Sequence, residues 1–314
     1  MSEIPCLSEA DLIALGITTQ EVVECIESAI HKEEAGRVWS APKAVIIPPE
    51  DGRYMMAALA AMDDPSLLAV KIVVLNPENP QRGLPQINGL VTMLDSSSGL
   101  PVAILDGNWI TAVRTAGLSA VAACRLANPD AQSVGFVGCG VQARSHLQSF
   151  ADLFPLKSIK LFGRGLANKD RLAAAASDLG LSVEVSSRGQ DAIEDVDLVV
   201  TSITATGGPE PFLDANGLKP GAFAAITDLG VPWIRDSFGA LDRVVIDDVE
   251  QEAALPNKLC DPTFIDGDLS GLVLGRIDGR SARDERAAFL FRGHALGDLA
   301  LAVLALQKFG EGEV

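Results

Sequence analysis

The stretch VGFVGCGVQARSH, residues Val134–His146, decides the fold of this chain. A short apolar run leads into a turn with two glycines, and a stretch of helical composition follows. The turn matches the pattern G-x-G-x-x-A, with Gly138, Gly140 and Ala143 at its fixed positions. This order of strand, glycine turn and helix is typical of a dinucleotide-binding domain, whereas the alternative is a purely steric glycine turn.

Each fixed position of this turn has a physical role in the predicted site. Gly138 allows the tight turn, Gly140 lets the backbone approach a pyrophosphate, and Ala143 keeps the helix close to the strand. The helix N-terminus offers free N–H groups and a partial positive charge to the phosphates. We expect further cofactor contacts from four residues: Val141, Gln142, Thr115 and Thr201.

The second strand of the predicted domain ends without the usual acid. About 20 residues after the turn, an Asp or Glu normally binds the ribose hydroxyls of NAD. Here the strand continues as KLFGRG, which places Gly163 and Arg164 at that point. Arg164 would accommodate the 2′-phosphate of NADP, stack on adenine, or stand in solvent as a charge at a helix start. The residues themselves leave both NAD and NADP open.

The chain divides into two kinds of pattern around the turn. After Ser133, short apolar strands alternate with helical stretches, which predicts a parallel sheet of βαβ units. The residues before it read as a helix at 19–36 and strands joined by turns, an α+β arrangement. A helix of small residues at 109–127 links the two parts, and the last helix returns to the first part. We therefore predict an α/β fold: a Rossmann doubly wound parallel sheet at 119–294, plus an α+β domain at 1–118 and 295–314.

Composition excludes several classes of function. The net charge of −17 over 314 residues is the wrong sign for a nucleic-acid partner. No stretch predicts a membrane span or a targeting segment, so we expect a cytoplasmic protein. We expect no disulfide framework and no metal site, because the few histidines and the five cysteines lack metal-ligand spacing; the cysteines are Cys6, Cys25, Cys124, Cys139 and Cys260.

Longer motifs of this sequence resemble those of a known protein family. GFVGCGVQARSHLQSF, together with GLPQINGLVTMLDSSSGLPVAILDGNWITAVRTAG and DRVVIDD, resembles the ornithine cyclodeaminase/mu-crystallin family over nearly the whole chain. The resemblance implies a homodimer whose first domain supplies dimerisation and substrate contacts, while the second binds NAD(P), with NAD favoured. It also implies chemistry through a small imino or amino acid, in which hydride moves between an α-carbon and nicotinamide.

Three residues match the family's active-site positions. Lys71 lies within an apolar strand, so burial would depress its pKa and suit it to proton transfer; the alternative is a strand-end lysine that reaches solvent. Arg114 matches the arginine that binds the substrate carboxylate, or else it forms a structural ion pair with an Asp such as Asp106. Asp228 matches the catalytic aspartate and follows a strand of the parallel sheet; the alternative is a turn aspartate bonded to its own backbone.

Other positions depart from the family pattern. Lys43 stands where many members have an arginine, so it supplies charge to the substrate without a bidentate fork. Gln86 replaces a threonine that often follows GLP, which implies a reshaped substrate pocket. His294 stands where a less polar residue is common, and it would bind substrate, shuttle protons, or simply pack in its helix.

Three functions compete on this evidence. The first is an NAD(P)H-dependent imine reductase or amino-acid dehydrogenase, with iminosuccinate reduction to aspartate as the favoured reaction. The second is an ornithine or lysine cyclodeaminase that releases ammonia, and the third is a mu-crystallin-like NADPH-dependent binding protein. The extra cations favour a carboxylated imine over a diamine, since a distal ammonium needs an acid instead; they are Lys43, Arg53, Arg82, Arg292 and His294.

Overall fold

The structure, a computed structural model, describes residues 4–49, 52–204 and 210–312. By Cα proximity the chain groups into two compact units. The first unit comprises Met1–Gly117 with His294–Val314, and the second comprises Leu118–Gly293. Within the described ranges, no helix combines the length and the apolar composition that a bilayer crossing requires.

The first unit is built on a six-stranded sheet in the order β1-β6-β5-β4-β3-β2. The strands are β1 (Cys6–Leu7), β2 (Val38–Ile46), β3 (Tyr54–Met62), β4 (Leu67–Leu75), β5 (Ile87–Asp95) and β6 (Pro101–Asp106). All neighbouring pairs are antiparallel except β1 and β6. The helices are α1 (Glu9–Ala14), α2 (Thr19–Glu34), α3 (Gly107–Leu126, which continues into the second unit) and the C-terminal helix α9 (Ala295–Gly312).

Helices α2 and α9 pack on each other, and α9 also packs on β2, β3 and β4. Helix α2 begins at a capping box, in which the Thr18 hydroxyl accepts from the Glu21 N–H and the Glu21 carboxylate accepts from the Thr18 N–H. Its apolar residues recur at helical spacing and are buried: Val22, Val23, Ile26, Ala29 and Ile30. Along β4 the odd-numbered residues 69, 71 and 73 are buried, whereas Ile72 and Val74 on the other face are exposed.

The second unit contains an eight-stranded, wholly parallel sheet in the order β13-β12-β14-β11-β10-β7-β8-β9. Its strands are β7 (Ser133–Val137), β8 (Ser158–Phe162), β9 (Ser182–Val185), β10 (Leu198–Thr201), β11 (Phe223–Ile226), β12 (Arg243–Ile246), β13 (Gly267–Asp268) and β14 (Ala287–Leu290). The helices are α4 (Val141–Leu153), α5 (Leu166–Asp178), α6 (Gly189–Ile193), α7 (Val249–Ala254) and α8 (Leu269–Val273).

Strand order reverses between β7 and β10, because the chain first runs outward through β8 and β9 and then continues on the other side of β7. Ligands of such sheets bind at this switch point, beyond the carboxyl ends of the strands. The central strands β10, β11 and β14 are buried at every residue, as expected for a parallel sheet covered on both faces. The predicted fold class, a Rossmann sheet plus an α+β domain, is confirmed.

Candidate functional site

The glycine turn occupies the switch point of the parallel sheet. It follows β7 directly, and the Gly138 N–H donates to the Phe162 carbonyl at 2.9 Å. Gly138 has φ of 97°, and a Cβ there would lie 2.7 Å from the Ser202 carbonyl oxygen. Both the backbone angle and the close approach therefore require glycine at this position.

Gly140 is glycine for a different reason. It is the N-cap of α4 with an ordinary φ of −79°, and no side chain caps the helix. Among the described residues, a Cβ at Gly140 would meet no atom within 4 Å, so neither backbone strain nor packing against them requires glycine. Open space beside a free helix N-terminus is what an approaching pyrophosphate needs. Ala143 is fully buried one turn later, while Val141 is 55% exposed and Gln142 is partly exposed.

Asp228 lies just beyond β11, near the same end of the sheet. Its carboxylate accepts hydrogen bonds from the Thr201 hydroxyl and the Ile203 N–H, each at 3.0 Å. Asp228 is buried, and this burial raises the pKa of its carboxyl from 3.8 to about 7, although the two hydrogen bonds oppose the shift. The group therefore changes protonation near neutral pH, as a proton-transfer residue requires.

Thr201 ends β10, between the glycine turn and Asp228. Its hydroxyl donates to Asp228 and accepts from the Trp233 indole N–H at 3.2 Å. The Thr201 side chain thus holds the Asp228 carboxylate in place. The predicted contact of Thr201 with the cofactor is supported only by its position at the end of β10. Thr115 is buried on α3 in the first unit, and Arg164 is exposed just after β8.

The first unit holds a buried cluster of charges on three elements. Lys71 on β4 is 2% exposed, and its ammonium lies 2.7 Å from Oδ1 of Asp298 on α9. The Arg114 guanidinium on α3 lies 3.0 Å from the same oxygen through Nε. One oxygen of Asp298 therefore forms ion pairs with both cations. The partner of Arg114 is Asp298 rather than Asp106, whose carboxylate accepts a hydrogen bond from the Trp109 N–H.

Charge in this cluster is positive in excess. Burial lowers the pKa of Lys71 from 10.5 to about 8, with a further contribution from Arg114 and a smaller one from Lys43, against the raising effect of Asp298. The neighbouring cations keep the pKa of Asp298 below its usual value despite its burial. Two cations, Lys71 and Arg114, thus share one carboxylate, a local excess of positive charge in a chain whose net charge is −17.

Arg114 has unused hydrogen-bonding capacity. Its Nε–H is not aligned with the Asp298 oxygen, and within the described ranges neither Nε nor Nη1 has a hydrogen-bond acceptor, although both atoms are buried. A buried guanidinium normally satisfies these donors, because leaving one unmade costs about 1–3 kcal/mol. A carboxylate placed beside Arg114 would accept from them and would offset the excess charge.

The remaining predicted residues fall into two groups. His294 precedes α9, and its Nε2 lies 3.0 Å from the Ser40 hydroxyl on β2. Gln86 is partly exposed just before β5, and among the described residues no hydrogen bond or ion pair joins its side chain to the charge cluster. Two candidate cations are engaged elsewhere, since Arg82 pairs with Glu78 at 2.7 Å and Arg292 pairs with Glu252 at 2.6 Å.

Sequence reasoning missed Asp298. The signal was present, because Asp298 is a single acid at the start of the otherwise apolar run LALAVLAL. A buried helix face tolerates such a charge only with a partner, and the excess cation at Lys71 needed one.

Comparisons with known proteins identify the family. The model of the ornithine cyclodeaminase/mu-crystallin family matches residues 7–312. Ketimine reductase mu-crystallin of Rattus norvegicus is 30% identical, over 82% of this chain and 81% of the relative.

Solved structures of the same family have a similar fold. Thermococcus litoralis Δ1-pyrroline-2-carboxylate reductase, in complex with NADH and L-proline, is 25% identical with a TM-score of 0.90 over 99% of both chains. Iminosuccinate reductase of Paracoccus denitrificans, in complex with NAD+, is 21% identical with a TM-score of 0.82, over 99% of this chain and 98% of that one, a likeness of fold. The resemblance inferred from the motifs is confirmed, and the chain belongs to the ornithine cyclodeaminase/mu-crystallin family.

Proposed function

We propose that this protein is an NAD(P)H-dependent reductase that converts a small α-imino acid into an L-amino acid. The observation that carries the proposal is Arg114, whose buried Nε and Nη1 groups have no acceptor in the described part of the chain and lie beside the Lys71–Asp298 ion pair. The ketimine reductase and pyrroline-2-carboxylate reductase relatives support imine reduction as the class of reaction. The predicted roles of the individual residues are part of the proposal.

The cofactor is NAD(P), which supplies the hydride. Gly138, Gly140 and Ala143 would hold its pyrophosphate against the N-terminus of α4, where the space beyond Gly140 fits this group. Val141 and Gln142 continue the same turn, and Thr201 ends the adjacent strand. The acceptor of the hydride is the imine carbon.

Arg114 binds the α-carboxylate of the substrate in this proposal. Its planar guanidinium presents parallel N–H groups that match two carboxylate oxygens. Lys43 on β2 would add positive charge, which its electrostatic effect on both Lys71 and Asp298 supports. Holding the carboxylate fixes the imine carbon for attack, which is the main benefit of a rigid binding group.

Lys71 supplies the proton to the imine nitrogen. With a pKa of about 8 its ammonium is mostly protonated at neutral pH, yet it is a stronger acid than an exposed lysine. Protonation makes the imine carbon more electrophilic, so Lys71 assists the hydride step directly. Asp228, with a pKa of about 7, is the second group able to hold or release a proton near neutral pH.

Iminosuccinate is the substrate that we favour, because its second carboxylate suits the positive excess of the cluster. We propose Lys43 on β2 and His294, whose Nε2 lies 3.0 Å from the Ser40 hydroxyl, as the contacts of this second carboxylate. A cyclodeaminase would instead need an acid for the distal ammonium of ornithine or lysine. The acid of the cluster, Asp298, is already shared between Lys71 and Arg114.

A spectrophotometric screen tests the proposal. NADH and NADPH are followed separately with pyruvate, glyoxylate or oxaloacetate, each with and without ammonia, and with a cyclic imino acid such as Δ1-pyrroline-2-carboxylate. We expect cofactor oxidation that requires both a carboxylated carbonyl and ammonia, or a preformed imine. Release of proline and ammonia from ornithine with no net change in absorbance would establish the cyclodeaminase instead, and cofactor binding without either reaction would establish a binding protein.

Two variants link the activity to the cluster. Lys71→Ala should lower turnover by about 10²–10⁴-fold while leaving the Kd of the cofactor nearly unchanged. Arg114→Lys keeps the charge but loses the fork, so it should raise the KM of the imino acid far more than it lowers turnover. Unchanged turnover in Lys71→Ala would remove this lysine from the chemistry.

We further propose a homodimer formed through the open face of the first sheet. This face carries large apolar side chains that are about two-fifths exposed, namely Leu59, Ile72, Val74 and Leu90. Ile72 and Leu90 are direct cross-strand neighbours, so the apolar surface is continuous across β4 and β5. Soluble monomers rarely expose such a patch, and a second copy of the same face would cover it.

A further inference from the structure

The end of β8 carries positive charge where NAD-binding domains normally carry an acid. Residues 163–169 read GRGLANK, which contains two cations, Arg164 and Lys169, and no carboxylate before Asp170. An Asp or Glu at this point would accept hydrogen bonds from the two free hydroxyls of the adenosine ribose. The same acid would repel a phosphate attached to the 2′ oxygen.

The Cys139 thiol crowds the position where that acid would stand. A Cβ built on Gly163 would lie 2.9 Å from the Cys139 sulfur and 3.5 Å from its Cβ. Cys139 is the middle residue of the glycine turn, is 5% exposed, and lies with its Sγ 3.5 Å from the Phe162 carbonyl oxygen. The thiol therefore fills the space into which a side chain at position 163 would project. A residue with a carboxylate at this position would have to displace the Cys139 thiol.

The two cations remain available to a ligand. Arg164 is exposed, and neither Arg164 nor Lys169 has an ion-pair partner in the described part of the chain. Lys169, on the first turn of α5, lies close enough to Cys139 to act electrostatically on its thiol, so its charge belongs to the surroundings of the glycine turn. Arg164 is the first side chain after the position from which the ribose is normally recognised.

We propose that this protein binds NADP(H) in preference to NAD(H), with Arg164 and Lys169 recognising the 2′-phosphate of the adenosine. The proposal rests on the proposed function only in requiring an NAD(P) cofactor. It separates this chain from the Thermococcus litoralis relative, whose solved complex holds NADH. Guanidinium and ammonium groups both bind phosphate, and Arg164 would contribute the directional pair of N–H donors.

Direct binding of the two reduced cofactors tests the proposal without turnover. The full-length protein is titrated with NADPH and with NADH while the cofactor fluorescence is recorded. We expect the Kd of NADPH to be at least about tenfold lower than that of NADH, because only NADPH carries the 2′-phosphate that would accept charge-assisted hydrogen bonds. Adenosine 2′-monophosphate should also compete more strongly than adenosine 5′-monophosphate.

Variants assign the preference to Arg164. Arg164→Ala should raise the Kd of NADPH about 10–100-fold and change the Kd of NADH less than about twofold. Arg171→Ala is the matched control, since Arg171 is an exposed arginine on the same helix α5 and should leave both constants unchanged.

Three outcomes would overturn the proposal. NADH binding as tight as NADPH binding in the unmodified protein would show that the 2′-phosphate is not recognised. An equal rise in the Kd of NADPH and of NADH in Arg164→Ala would show that Arg164 stacks on adenine instead. If neither NADPH nor NADH binds at all, the proposed function is overturned together with this inference.

Discussion

Asp298→Asn removes the carboxylate that Lys71 and Arg114 share while keeping nearly the same side-chain shape. Oδ1 lies 2.7 Å from the Lys71 ammonium and 3.0 Å from the Arg114 Nε, and Asp298 is 3% exposed. Removing one partner of a buried ion pair costs about 3–5 kcal/mol, because the remaining charge stays buried without compensation. We therefore expect a loss of this size in the free energy of unfolding at neutral pH and below.

The loss should depend on pH with a definite sign. Lys71 has a folded-state pKa of about 8 against an unfolded value of 10.5, so stability rises as the pH rises between these values. Asp298 raises the pKa of Lys71, so in Asp298→Asn the folded-state pKa of Lys71 falls further. The free energy of unfolding of the variant therefore begins to rise at a lower pH than that of the unmodified protein. The difference between the two proteins should shrink as the pH increases toward about 8.

Urea unfolding followed by circular dichroism at a series of pH values measures this difference. Asp298→Asn combined with Lys71→Met should recover part of the lost stability, because one uncompensated cation is gone. Asp130→Asn is the control, since its ion pair with Arg283 spans 3.9 Å between exposed side chains and should contribute nothing measurable. A cost below about 1 kcal/mol without pH dependence would refute the role assigned to Asp298.

Three further predictions concern the parallel sheet and the open sheet face. The pKa of Asp228 is about 7 in the folded state against 3.8 in the unfolded state, so the free energy of unfolding should fall by up to about 4 kcal/mol from about pH 4 to about pH 7. This pH dependence should be absent in Asp228→Asn. The same pH dependence in both proteins, measured by urea unfolding, would contradict the pKa shift assigned to burial of Asp228. Gly140→Ala should keep the wild-type Tm but weaken NADPH binding about tenfold. Gly138→Ala should lower the free energy of unfolding by about 1–3 kcal/mol. A lower Tm in Gly140→Ala would contradict the open space beside Gly140. Ile72→Glu should convert the proposed dimer to a monomer in light scattering, whereas Ile13→Glu, at a 61% exposed position of α1, should not. An unchanged mass for Ile72→Glu would contradict the proposed dimer contact.

Local sequence signals were sufficient for the fold. The glycine turn was recognisable because a strand, a turn with φ above zero and a helix N-terminus each require particular residue types over a few positions. The sequence predicts a helix at 19–36, and α2 spans Thr19–Glu34; in the structure its buried apolar residues recur at helical spacing and its start carries a capping box. The parallel sheet followed from short apolar strands alternating with helices.

The sequence by itself also determined which residue types were unusual in their surroundings, such as Lys71 in an apolar strand and Gly163 in place of an acid. Only the tertiary structure decided what they contact. Asp298 meets Lys71 across 227 positions of sequence, and Cys139 fills the space beside Gly163 across 24 positions, from 139 to 163. Backbone periodicity is a local property that short stretches specify, whereas the partner of a buried charge depends on how distant elements pack together.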